Sequence, residues 1–85
     1  MDHILAVFSS VTVANRAKKA AKKHMSYAAI VQLPPNLGIR GCSYCLRIKR
    51  DDYGILSDIV SKNNMNLKAV FVERDEDGGK EYIQL

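Results

Sequence analysis

Between Val13 and Met25 the basic and apolar side chains never mix. At about 100° per residue, Val13, Ala14, Ala17, Ala20, Ala21, His24 and Met25 fall on one half of a helical wheel. Arg16, Lys18, Lys19, Lys22 and Lys23 fill the other half. A face made mostly of alanine can approach a flat surface closely, so this stretch predicts a surface helix laid on a β-sheet. "SSVT" just before it supplies hydroxyls for an N-cap. His24, on the apolar arc, reads as a partly buried packing residue.

The flanking segments supply the sheet. "HILAVF", residues 3 to 8, is apolar on both faces, as a central strand must be. "YAAIVQL", residues 27 to 33, reads as a strand that Pro34 and Pro35 stop. "SYCLRIK", residues 43 to 49, alternates, with Tyr44, Leu46 and Ile48 on one face and Cys45, Arg47 and Lys49 on the other. "RDDYGILSDIVSKNN" predicts a second helix with an aspartate cap and a left-handed stop at Asn63 or Asn64. "LKAVFVE", residues 67 to 73, closes the core, and "RDEDGGK" predicts a turn. The order β-α-β-β-α-β predicts an α+β, ferredoxin-like domain: a four-stranded antiparallel sheet with two helices on one face. A fifth C-terminal edge strand is an option. The 85 residues then form a single domain with its core at about 3–73; residues 74–85 are a turn plus a short strand or a frayed tail.

The longest apolar run, "ILAVF", is far too short to span a bilayer. Asp2 and His3 stand where a signal peptide would be basic, so the expected location is the cytoplasm, with no membrane partner. Thiols are kept reduced there, which makes a CxxC more often catalytic or metal-binding than structural. Cys42 and Cys45 form such a spacing.

Four readings of that pair compete: a metal clip, a redox pair, one reactive thiol, or two fillers. A structural zinc site needs four ligands and the CxxC offers two, with neither His3 nor His24 suitably spaced, so no metal is expected. A Cys42–Cys45 redox pair meets a geometric objection, because residues three apart in a strand are about 10 Å apart, beyond the bridging limit of about 7 Å. Cys45 is most simply a packed strand residue. Cys42 has a case for reactivity. The third strand should run antiparallel to the first, bringing Cys42 to Ser9 and Ser10 at the first helix's N-terminus, where a thiolate is favoured. Arg40 would add positive charge, and Gly38 and Gly41 would leave room for an approaching group.

"FSSVTVA", then "IVQLPP", then "GIRGCS", each followed by its helix or strand, make the chain resemble the small selenium/sulfur carrier-like domain family over about residues 4–73. It departs from that pattern at Ser43, where Gly is usual, and at Asn36, where Arg is frequent. The resemblance implies a non-catalytic carrier: Cys42 would hold sulfane sulfur or selenium as a persulfide or selenosulfide, with no resident cofactor. Ser9, Ser10, Arg40 and Gly41 would shape the thiolate's surroundings, and Cys45 is a candidate resolving thiol. The implied partners are a donor enzyme such as a cysteine desulfurase and an acceptor protein.

Two rivals belong to other classes. Nucleic-acid binding would use the basic helix and the open sheet face, and "RGCSYCLR" echoes an RNA-binding strand signature. That signature needs aromatics at its third and fifth positions, where this chain has Cys42 and Tyr44, and "HILAVF" lacks a central aromatic. Tyr27, Tyr44, Tyr53 and Tyr82 are too scattered in sequence to suggest a stacking platform. A protein-interaction module is the other rival, either a homodimer through the open sheet face or an acidic partner docked on the basic helix.

Overall fold

The computed structural model describes residues 2–37, 39, 41 and 43–85. Strand β1 spans His3–Phe8, helix α1 Val11–Ala21, β2 Ala28–Gln32, β3 Tyr44–Lys49, α2 Tyr53–Lys62, β4 Leu67–Glu76 and β5 Gly79–Gln84. One-turn 3₁₀ segments at Pro35–Leu37 and Arg50–Asp52 bridge β2 to β3 and β3 to α2. The chain is thus α+β, with a five-stranded antiparallel sheet in the order β2-β3-β1-β4-β5.

The strand apolar on both faces takes the centre. In β1, Ile4, Ala6 and Phe8 enter one core cluster and Leu5 and Val7 the other, all nearly inaccessible to water. The first cluster lies under both helices: Ala14, Ala17 and Ala21 of α1 and Leu56 and Ile59 of α2 meet Leu46, Ile48, Val70 and Val72 of the sheet. Both helices therefore share one face. The other face carries Leu5, Val7, Cys45, Ala69 and Phe71, roofed by Leu33, Leu37 and Ile39 from the loop after β2. These sheet side chains are buried within a single chain.

The optional fifth strand forms, at the edge of the sheet beside β4. β4 continues through Arg74 and Asp75 to Glu76, and β5 pairs back from Gly79 opposite Glu76 to Gln84 opposite Phe71. Asp77 and Gly78 alone make the turn, with Gly78 at φ 91°. Three details of the helices also differ from expectation. α1 stops at Ala21, four residues early, where the next N–H groups reach only three residues back, Lys23 to the Ala20 carbonyl and His24 to the Ala21 carbonyl, and the chain tightens into turns. His24 consequently lies outside the helix and is exposed, while Met25 still reaches the core. Asp52 precedes α2 but makes no capping bond, since a 3₁₀ turn already leads the chain into the helix.

The left-handed stop falls on Asn64, at φ 51°, beside Asn63, whose Nδ2 donates to the Ile59 carbonyl at 2.8 Å. Replacing Asn64 with alanine should cost about 1 kcal/mol, because a Cβ crowds the carbonyl in that conformation and alanine has no polar side chain to compensate. Asn64→Gly should leave stability unchanged or raise it; urea titration of both variants measures the difference.

Candidate functional site

The β1–β3 register runs from His3 opposite Lys49 to Ala6 opposite Leu46, so the strands carry the end of β1 toward the beginning of β3. An open cavity of about 350 Å³ lies at that corner. Ser9, Ser10 and Val11 line one side, Gly41, Ser43 and Tyr44 the other, and Phe8 closes the base. Ser10 is the N-cap of α1: its backbone is extended and its Oγ accepts from the Val13 N–H at 3.2 Å. The Val11 and Thr12 N–H groups find no hydrogen-bond partner among the described residues, and the first turn holds no acidic side chain. The positive end of the helix dipole thus faces this corner without a neutralising carboxylate nearby in the helix.

The opposite wall is held by the loop's base. The Leu33 N–H donates to the Ser43 carbonyl at 2.8 Å, and Gln32 pairs with Tyr44. The intervening loop leaves and returns at one point of the sheet edge. Gly41 adopts φ 78°, a conformation side-chain-bearing residues rarely take. A Cβ there would meet no protein atom within 4 Å, so what requires glycine within the fold is the backbone direction. Tyr44 and Val11, both about half exposed, give the rim an apolar edge that the sequence reading missed.

Of the residues singled out earlier, Ser9, Ser10 and Gly41 are brought together at this cavity. Cys42 and Arg40 lie outside the described residues, as does Gly38. The chain neighbours of Cys42, Gly41 and Ser43, are both described, exposed, and part of the cavity wall. Cys45 is placed elsewhere: it is fully buried on the loop-covered sheet face among Leu5, Val7, Leu33 and Phe71. Burial pushes its thiol up to about 11, and the nearby Glu73 carboxylate adds to the effect while Arg47 opposes it. At neutral pH Cys45 is a protonated, inaccessible thiol. Among the described residues no cluster of three or more His, Cys, Asp or Glu side chains could hold a metal, and no helix is long and apolar enough to cross a membrane.

A second polar constellation was not anticipated. On the Cys45 face, Arg47 sends Nε and Nη2 to Glu73 Oε1 at 3.0 and 2.8 Å, Nη1 to the Tyr27 hydroxyl at 3.1 Å, and Nη2 to His3 Nδ1 at 3.1 Å. Lys80 approaches the same carboxylate oxygen at 3.7 Å, and Tyr82 hydrogen-bonds the Glu73 side chain. Arginine can only donate, so His3 Nδ1 must accept and its proton sits on Nε2. Burial and the Arg47 charge agree, holding the imidazole below its ordinary value. The 3.9 Å approach of His3 to Glu73 is therefore not an ion pair at neutral pH. Two of the tyrosines judged too scattered in sequence, Tyr27 and Tyr82, meet in this group. Only strand alternation hinted at it, by placing Arg47 on the face of Cys45.

The fold and the cavity define a small α+β domain with an exposed, serine-lined corner at a helix N-terminus. The family model described as "Putative Se/S carrier protein-like" matches residues 3–72, and the chain belongs to that family. No curated protein and no solved structure matches the chain.

Proposed function

We propose that this chain is a cytoplasmic, non-catalytic carrier that holds sulfane sulfur or selenium on Cys42 and passes it between partner proteins. The observation that carries the reading is the cavity joining Ser9 and Ser10 to Gly41 and Ser43, the two residues that bracket Cys42 in sequence. Membership of the carrier-like family supports it. A helix N-terminus whose first N–H groups have no partner among the described residues can stabilise an anionic sulfur atom, so the same corner would favour both the Cys42 thiolate and the persulfide anion formed from it. Loading needs no redox partner. The Cys42 thiolate attacks the outer sulfur of a donor's persulfide, the donor's thiolate leaves, and Cys42 keeps the sulfur as a persulfide. Delivery is the same step in reverse toward an acceptor. In this reading Arg40 adds positive charge near the thiolate, Cys45 is a packing residue rather than a resolving thiol, and the first four strands with their helices are a ferredoxin-like core extended by β5.

Intact mass of the reduced protein, after incubation with a cysteine desulfurase and either cysteine or selenocysteine, tests this. One sulfur or selenium atom should be gained, be removed by dithiothreitol, persist in Cys45→Ser and vanish in Cys42→Ser. No adduct on the wild-type chain, or one that survives in Cys42→Ser, overturns the reading.

A further inference from the structure

Positive charge is concentrated on one element. Five of the thirteen basic residues lie between Arg16 and Lys23 with no acidic residue among them, which leaves eight basic against nine acidic residues over the rest of the chain. The whole excess of +4 thus resides on the outer side of α1 and the turn that follows it, Arg16, Lys18 and Lys19 in the helix and Lys22 and Lys23 just beyond. Arg16, Lys19, Lys22 and Lys23 are exposed, Lys18 is partly so, and among the described residues none of the five has an ion-pair partner. A solvated helix usually intersperses carboxylates at i+3 or i+4 to offset such charges, and α1 has none.

The two ends of that helix lead to different surfaces. Its N-terminal end lines the cavity beside Gly41 and Ser43. Its C-terminal end, at Ala20, and Lys23 in the turn beyond border a groove of about 400 Å³ against α2. The groove has an apolar floor of Ile55 and Ile59, Lys23 and Lys62 on its rim, and Asp58 as its one acid. α1 is about 16 Å long, and a standard interface of about 800 Å² per partner spans that distance. His24 is the single ring among the described lining residues, so the groove lacks the succession of stacking faces that single-stranded nucleic acid needs. Apolar anchors ringed by cations fit a protein.

We propose that the outer ridge of α1, together with the α1–α2 groove, docks an acidic, apolar-anchored face of the protein that donates sulfur, holding the donor's persulfide over the cavity at the helix's other end. This rests on the carrier reading. Docking supplies encounter rate and orientation; the transfer step remains attack by the Cys42 thiolate on the outer persulfide sulfur, with the donor thiolate as leaving group.

The test compares two donors, a persulfide-loaded cysteine desulfurase and hydrogen disulfide, whose attack by Cys42 releases hydrosulfide and requires no docking. Transfer from the desulfurase should fall about tenfold or more in Lys19→Glu/Lys22→Glu/Lys23→Glu at low salt, and for the wild type between about 50 and about 500 mM salt. At the high salt, hydrogen disulfide should load both chains alike, and their thermal unfolding should show both folded. Equal transfer from the desulfurase to both chains at low salt overturns the docking surface. Tight binding of single-stranded RNA, lost in the triple variant while sulfur transfer is unchanged, overturns it in favour of nucleic acid. Failure of both donors to load the wild type removes the carrier reading, and the docking proposal with it.

Discussion

Replacing Arg47 with methionine should lower the stability of the domain by about 3–5 kcal/mol at pH 7, the usual cost of leaving a buried charge without its partner. The Glu73 side chain is only 5% exposed and takes two Arg47 N–H groups on one oxygen. Without them it would keep Lys80 at 3.7 Å, half exposed and screened by water, and the Tyr82 hydroxyl. Glu73→Gln should cost less, about 1–3 kcal/mol, because the Arg47 side chain is 21% exposed and can turn its charge toward solvent. Arg47→Met/Glu73→Leu should recover most of the loss, since two apolar side chains can replace a buried pair at little net cost. A urea double-mutant cycle measures all three, and simple additivity of the two single changes would show that the pair is not coupled.

The same pair fixes a pH dependence. Burial alone would raise the Glu73 carboxyl, but the Arg47 hydrogen bonds and charge, helped by Lys80, hold it below the ordinary carboxylate value. A group depressed in the folded state contributes stability that is complete above its unfolded value, about 4.3, and is lost as pH falls through the folded one. Stability of the wild type should therefore drop below about pH 4, and the gap to Arg47→Met should narrow there.

These residues also mark where sequence legibility stopped. Helix α1 announced itself because thirteen residues obey one periodicity, and β1 because its side chains are apolar on both faces; such patterns reflect local geometry that the rest of the molecule must accept. β5 was ambiguous, since Lys80, Glu81 and Gln84 carry no burial signal and the strand exists only because β4 offers it an edge. The Arg47–Glu73 group was illegible for a different reason. Its members come from β1, the residue before β2, β3, β4 and β5, and no spacing along the chain encodes which rows of a sheet stand side by side. The cavity was legible in outline, from the antiparallel register that brings Ser9 and Ser10 toward the start of β3. Its rim residues Val11 and Tyr44 were not, because exposure at a corner depends on what the neighbouring loop leaves uncovered.

The CxxC spacing misleads most, and thiol labelling should expose this by a large margin. At pH 8 the native protein is expected to take up one iodoacetamide quickly, on Cys42, and a second only when denaturant is added. Cys45 is fully buried and its thiol is pushed up to about 11, first by burial and then by Glu73. Only about one molecule in a thousand would carry that thiolate at pH 8, against roughly a quarter for an ordinary thiol near 8.5. Even those would be screened from reagent by Leu5, Val7, Leu33 and Phe71, so labelling must wait for the domain to open. Cys42→Ser should then be unreactive when native, and Cys45→Ser should label like the wild type; rapid labelling of native Cys42→Ser would refute the packing role. Linkage gives an independent check with the opposite sign to Glu73. A thiol raised in the folded state contributes stability that is complete below its unfolded value and is lost as pH rises toward 11. The urea midpoint should accordingly fall between about pH 9 and 11 in the wild type, and that fall should be smaller in Cys45→Ala. Cys45 then contributes packing and an alkaline limit to stability, and the proposed carrier role would rest on Cys42 alone.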